Sequence, residues 1–201
     1  MYQYDNETFH HHNFDQSNLQ DGELNGCIFE QCSFKGASME EMTSTGCQFI
    51  DCDFTGAYLN ASLHRGSAFT NCKFSGTNLF VVKFEDCKMV GSDFSNAALD
   101  GLTITGGDWS YTNLRHANLS KQNLRGIRFL EADLFGCDLQ KSDLRGADLS
   151  RVQLGQCKLK GADLRDAKLE GIDLKGLDWQ GVRMDVEQAV LLARSLGAKV
   201  G

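Results

Sequence analysis

Several groups of residues in this chain have the chemical character of site residues: eight cysteines, the run His10-His11-His12, the adjacent acids Glu40-Glu41 and Glu85-Asp86, and the pair Ser44 and His64. Cysteines bind zinc most often as pairs two to four residues apart. Cys27, Cys32, Cys47, Cys52, Cys72, Cys87, Cys137 and Cys157 are separated by multiples of five instead. Three successive histidines are a possible metal-binding run. A serine and a histidine make a nucleophile–base pair if a cleft holds them. Paired carboxylates cleave glycosidic bonds when they face each other across a substrate, which sequence neighbours do not. Which of these chemistries is open to the chain depends on the elements that carry the residues.

Every fifth residue from Tyr4 to Met184 is large and apolar, except Ser44 and His64. No insertion or deletion shifts this register. Two residues before each of these positions, here called i, lies a second series that is mostly Cys, Ala and Ser and holds all eight cysteines. Side chains two apart in an extended segment point the same way. Positions i and i−2 therefore face inward together, and the Asp, Asn, Lys, Arg, Ser and Gly between them face out. The pairs Phe9/Phe14, Phe29/Phe34, Phe49/Phe54 and Phe69/Phe74 recur every 20 residues. Four five-residue sides thus make one coil, and like side chains stack coil upon coil as in other solenoids. Residues 2–184 form about nine coils, a rod about 43 Å long at the spacing of strands in a sheet. Its interior is filled by side chains, without lumen or pocket. The chain contains no proline, as befits a backbone whose donors are used between coils.

This architecture weighs against most of the chemistry. Cysteines confined to i−2 read as small buried packing residues. Phe9 and Phe14 keep register on either side of His10–His12, so the histidines belong to the first coil, with a metal site as the lesser reading and no metal expected. Ser44 and His64 stand one coil apart at interior positions, where they can hydrogen-bond each other. A filled rod offers no catalytic cleft, so an enzyme is not expected, and no cofactor is called for. Met39–Ser44 is the most irregular stretch, and a local bulge is expected there.

The net charge of −7 argues against direct nucleic-acid binding. Residues 1–100 hold 14 acids and 5 bases, net −9, whereas residues 101–201 hold 13 and 15, net +2. Asp at i−1 is generic to the repeat. Acids at i+1 and i+2 are more informative, and ten of thirteen lie in the first half. Glu30, Glu40, Glu41, Asp51, Glu85, Asp86 and Asp100 are the candidate partner-binding surface among them; a solvated face that only keeps the protein soluble is the plainer reading. No apolar run is long enough to cross a membrane. Met1–Phe14 has neither the basic nor the apolar part of a secretory leader, and the expected location is cytoplasmic.

The repeat stops after Met184. Asp185-Val186-Glu187-Gln188 has the form of a capping box, and Ala189 to Leu196 is apolar at helical spacing. Residues 1–184 are thus expected to form the rod, and 185–201 a short α-helix and tail. The helix covers an otherwise open edge. Its apolar surface exceeds the needs of one face, so the end either simply caps the rod or also joins two chains through Trp179, Met184, Val186, Val190, Leu191, Leu192 and Leu196.

Glu131-Ala132-Asp133-Leu134, Gly146-Ala147-Asp148-Leu149 and Gly161-Ala162-Asp163-Leu164 carry an A(D/N)LXX motif. With it, residues 2–184 resemble the pentapeptide-repeat family, which implies an all-β fold, a right-handed quadrilateral β-helix. His64–Phe74, Phe84–Phe94 and Val182–Val190 resemble the mycobacterial MfpA group. That group, like the Qnr proteins, binds DNA gyrase or topoisomerase IV and protects it from inhibitors. Its members are dimers joined through their C-terminal ends, and their rods imitate the shape and charge of duplex DNA. Qnr proteins of Gram-negative bacteria interrupt the rod with loops, and the unbroken register here is closer to the loop-free MfpA type. The resemblance implies a DNA-mimicking homodimer that confers resistance or self-immunity to a topoisomerase-targeting antibiotic. The alternative is a scaffold protein of the same fold with another protein partner.

Overall fold

The computed structural model describes residues 3–201; Met1 and Tyr2 lie outside the described residues. Ten three-residue strands and one helix are formed: β1 (Gln3–Asp5), β2 (Thr8–His10), β3 (Glu23–Asn25), β4 (Ile28–Glu30), β5 (Thr43–Thr45), β6 (Gln48–Ile50), β7 (Leu63–Arg65), β8 (Ala68–Thr70), β9 (Lys83–Glu85), β10 (Thr103–Thr105) and α1 (Val186–Ser195). The strands make two parallel sheets, ordered β1-β3-β5-β7-β9-β10 and β2-β4-β6-β8. Each pairing joins residues 20 apart, as in Phe29 with Phe49. The sheets are the first and second faces of a four-sided coil. The third and fourth faces stack through single parallel bridges with the same offset, as in Asn13 with Ser33 and Asn18 with Ser38. Regular strands occupy about five turns, fewer than the nine coils expected. Beyond Thr105 single bridges alone carry the offset, as far as Asp163 with Arg183.

The inward positions behave as their spacing predicts. Phe9, Phe29, Phe49 and Phe69 stack with ring centroids 5.1, 4.8 and 4.6 Å apart. Phe14, Phe34, Phe54, Phe74 and Phe94 form a second column at 4.8, 4.9, 5.0 and 4.7 Å. All eight cysteines are buried in the interior and are unpaired. Each corner is turned by the residue at i+2 in a left-handed conformation. Glycine supplies it at Gly36 (φ 62°), but Glu41 (φ 56°), Asp51 (φ 53°) and Asp86 (φ 51°) also adopt it. Val81 does so at φ 52° and is the one β-branched residue among the described residues to do so. That conformation costs an L-residue about 1–2 kcal/mol.

The expected bulge at Met39–Ser44 is absent. Met39 N and Glu41 N donate to Tyr58 O and Asn60 O, and Thr43 N to Gly22 O, all in register. Met42 and Ser44 are both buried. A large residue at i−2 and a small one at i exchange volumes, so the coil needs no distortion.

His64 is wholly buried in a closed chain of hydrogen bonds. Ser62 Oγ donates to Leu59 O (2.6 Å), which leaves it to accept from His64 Nε2 (2.9 Å). His64 Nδ1 then accepts from Ser44 Oγ (2.7 Å), and Ser44 Oγ accepts from Ser67 Oγ (3.0 Å). The imidazole is therefore neutral. Burial pushes its pKa down to about 3, and its hydrogen-bond partners are hydroxyls that carry no charge to offset a second ring proton.

The coil-to-coil bonding lapses twice among the described residues, once between residues 154–159 and 173–178 and once, over a longer path, near the middle of the rod. Between residues 96–106 and their partners 20 residues on, the regular backbone hydrogen bonds are missing. Gln122, at an inward i−2 position, partly replaces them: Ile104 N donates to its Oε1 (2.9 Å) and its Nε2 donates to Leu102 O (2.7 Å). The coils part there on the fourth face, and a groove of about 320 Å³ opens between Asn96–Asp100 and Arg115–Asn118. The first face below remains joined through the pairing of β9 with β10, the second through Met89 N to Asp108 O, and the third through Phe94 N to Asn113 O.

His64 has a folded pKa below its unfolded value, so its contribution to stability is whole above about pH 6.5 and declines as pH falls toward about 3. Denaturant melts between pH 7 and 3 are expected to show a loss of about 1.4 kcal/mol per pH unit from this group. His64→Gln, which cannot titrate, is expected to lose that part of the slope; an unchanged slope in the variant would show that the buried imidazole is not its source.

Candidate partner-binding surface

The groups with chemical potential do not assemble into a reactive centre. The cysteine thiols donate to backbone carbonyls, as Cys72 Sγ does to Phe49 O (3.3 Å). Burial raises the pKa of Cys47 to about 11 and of Cys87 to about 12, so these thiols stay protonated and unreactive. His10 turns to Glu30 (2.8 Å), while the His12 ring lies against Phe14 at 4.5 Å. Among the described residues no cluster of three or more His, Cys, Asp or Glu is placed to hold a metal. What the surface offers instead is a pattern of charge and apolar groups.

The acids fall into two classes by position. At i−1, Asp53, Asp93, Asp133 and Asp138 accept hydrogen bonds from the backbone N–H two residues on, at 2.9–3.0 Å. Asp143 is held further by Arg145, whose two guanidinium contacts of 2.8 and 2.6 Å bring its pKa down to about 2. These carboxylates belong to the turns of the rod. Acids at i+2, such as Glu41, Asp51 and Asp86, turn the corners with their backbone while their side chains point outward.

The seven candidate acids do not form one patch. Glu30 is on the second face, Glu85 on the first, Asp51 at the corner of the second and third, and Asp86 at the corner of the first and second. Glu30 is paired with His10 and Glu85 with Arg65 (2.8 Å). Only Glu40, Glu41 and Asp100 share a side, the fourth face and its corner with the first. There the residues after each large inward position run Glu40-Glu41, Asn60-Ala61, Phe80-Val81 and Asp100-Gly101 in successive coils. Phe80 and Val81 are 53 % and 39 % exposed, and Tyr58 beside them 48 %. Glu40 Oε2 accepts no hydrogen bond from the described residues. Reading the acids by half of the chain missed this grouping, which counting in steps of 20 would have found.

In the second half the same corner changes sign, to Lys121 and Lys141, while Arg125, Arg145 and Arg165 line the first face. Glu131, Asp166 and Glu170 lie on the second face or its corners, and Glu131 is paired with Arg151 (3.2 Å).

The C-terminal end is built as its spacing predicts. Asp185 caps α1, accepting from Gln188 N (2.9 Å), and Gln188 Oε1 accepts from Asp185 N (3.1 Å). Gln188 is buried, and its Nε2 donates to Leu164 O (2.6 Å) and Ala167 O (2.7 Å), closing carbonyls of the last coils. Val186 (79 %), Leu191 (44 %) and Leu196 (67 %) are exposed, and Trp179, Met184, Val190 and Leu192 are half-buried.

The family profile described as "Pentapeptide repeats" matches in eight copies, over residues 11–42, 45–80, 112–151 and 137–176. The chain belongs to the pentapeptide-repeat family. Among solved structures it is similar to a trypsin-treated variant of QnrB1, a plasmid-mediated fluoroquinolone resistance protein, with 26 % identity, a TM-score of 0.85 and 99 % of each chain covered. Full-length QnrB1 superposes with a TM-score of 0.74 at 22 % identity, covering 98 % of this chain and 100 % of that one. HetL, a pentapeptide-repeat protein involved in heterocyst differentiation regulation from the cyanobacterium Nostoc, has a TM-score of 0.53 at 24 % identity, covering 90 % and 86 %. The last two likenesses are of fold. A search of the curated proteins finds no match.

Gln188→Ala leaves the Ala167 carbonyl without its donor, at a cost of about 1–3 kcal/mol, whereas Leu164 O keeps its bond from Ala167 N. The variant is expected to lose about 1–3 kcal/mol in equilibrium unfolding; a loss below about 0.5 kcal/mol would show that the glutamine is not what closes the coil.

Proposed function

We propose that this protein binds DNA gyrase or topoisomerase IV as a partial mimic of duplex DNA and shields the enzyme from an inhibitor. The observation that carries the reading is the end-to-end likeness to a fluoroquinolone resistance protein, covering 99 % of both chains. The charge of the rod supports it. Five coils span about 24 Å, over which duplex DNA carries about 14 charges. The first hundred residues carry a net −9, which is partial mimicry of the right order. The second half spreads its bases over several faces, with Arg125, Arg145 and Arg165 on the first and Lys121 and Lys141 at its corner with the fourth, so it imitates DNA at most on one side. The partner in this reading is cytoplasmic, as the protein then is, and the rod acts by binding rather than by catalysis.

The working unit in this reading is a homodimer joined through the C-terminal ends. Val186 and Val190 lie one turn apart on α1, on the side away from the buried Gln188, and leave apolar surface for a second copy to cover. Truncation after Met184 is expected to give a monomer in sedimentation at micromolar concentration; a truncated rod that remains dimeric would place the junction elsewhere.

Exposed charges act mainly through long-range attraction, so association with gyrase is expected to weaken as salt rises. Reversing Glu40, Glu41, Glu85 and Asp86 together is expected to weaken binding more than reversing Glu131, Asp166 and Glu170, with folding kept in both sets. A titration against purified gyrase at two salt concentrations checks this. Greater damage from the second set would move recognition toward the C-terminal end, and indifference to both charge and salt would remove the DNA-mimic reading.

A further inference from the structure

The geometry points to one side of the rod, the fourth face and its corner with the first across the second to fifth coils, as the surface that meets the partner, with Phe80 and Val81 as its apolar anchor. The inference rests on the proposed function for the identity of the partner, and adds which face is used and by which residues.

Three independent features coincide on this side. The first is strain. Val81 takes a left-handed backbone conformation (φ 52°) that a β-branched side chain rarely adopts, while every other left-handed corner among the described residues carries glycine or an unbranched-Cβ residue. Its side chain returns little to the fold, since it is 39 % exposed. Gly101 in the next coil makes room for it, because a Cβ there would lie 2.7 Å from Val81 Cγ1. A strained, exposed apolar residue is better accounted for by what docks on it than by what it does for the rod. The second feature is apolar exposure. Phe80 stands beside Val81 at 53 % exposure, with its backbone N–H fixed by Asn78 Oδ1 (3.1 Å), and Tyr58 at 48 % lies one coil away. Aromatic groups held in one place on a rigid scaffold are the usual centre of a protein interface. The third feature is charge. Glu40 and Glu41 lie two coils to one side of this patch and Asp100 one coil to the other. An apolar centre with an acidic rim complements a basic protein surface with an apolar contact at its middle. A nucleic acid is excluded by the sign of the rim. The patch is continuous with the groove beside Asp100, which lengthens the surface along the rod.

The test separates stability from recognition. Val81→Gly relieves the strained corner, so its Tm is expected at or above that of the intact protein. Phe80→Ala/Val81→Gly is expected to bind purified DNA-free gyrase about tenfold or more weakly than the unaltered chain, in line with loss of an interface anchor. The control is Tyr111→Gly, which removes a similarly exposed side chain (51 %) at another left-handed corner (φ 60°), on the diagonally opposite edge of the rod. It is expected to leave binding unchanged. If the unaltered chain binds gyrase and the double variant binds equally well, or if Tyr111→Gly does the greater damage, the choice of face is wrong while the proposed function stands. If the unaltered chain does not bind gyrase, both fall. Sedimentation of the same proteins completes the test: side-by-side self-association abolished by the double variant would make the occupant a second copy and overturn the assignment to a basic partner.

Discussion

A backbone hydrogen bond from each coil to the residue about 20 positions on is the constraint from which the rest of this rod follows. It holds every side to five residues, because a single insertion would put every later side chain of the coil on the wrong face. It forbids proline, of which the chain has none. It requires a left-handed residue at each corner, which glycine supplies at Gly36 and Gly126, and which Glu41, Asp51 and Asp86 adopt at some conformational expense. It also brings like residues into columns, so that phenylalanines stack at 4.6–5.1 Å and buried thiols lie next to buried thiols. Where the bonding lapses between residues 96–106 and the coil beyond, an inward glutamine bridges part of the gap and a groove opens on the fourth face; a second lapse, between residues 154–159 and 173–178, opens another beside Gly155 and Asp173.

The constraint separates residues that build the rod from residues free to do something else. Inward positions are occupied by packing, and even the polar group of His64 and Ser44 is closed on itself through Ser62 and Ser67. The i−1 acids are held by the turns. What remains is the outward side chains at i+1 and i+2, which packing does not engage, although the backbone at i+2 must be left-handed. Charge there is a property of the surface, and its uneven distribution between the two halves has no structural cause in the rod. An apolar Phe80 and Val81 at such positions is likewise unexplained by folding.

Much of this was legible before the structure. The five-residue series fixed the inward columns, the recurrence of phenylalanine pairs fixed four sides, and the spacing of the cysteines removed them from chemistry. Asp185 and Gln188 announced both the helix and its cap, though not that Gln188 would also close carbonyls of the rod at Leu164 and Ala167. Three things were missed. The bulge expected at Met39–Ser44 does not occur, because Met42 supplies at i−2 the volume Ser44 lacks at i. The interruption of bonding after Asn96 had a signal in Gln122, a long polar residue in a series of small ones, and in Gly106-Gly107, where a side chain on Gly107 would collide with the Cys87 carbonyl. The acids were grouped by position along the chain, whereas a rod presents them by face; Glu40 and Asp100 are 60 residues apart in sequence and on one side in space.

The functional account stands on the rod occupying a site that DNA would otherwise fill. The direct measurement is displacement: labelled protein bound to purified gyrase, titrated with linear duplex DNA at constant ionic strength. The account predicts that DNA releases the protein with a midpoint that rises in proportion to the protein concentration, as competition for one surface requires. Protein that stays bound while gyrase takes up DNA to saturation would contradict it.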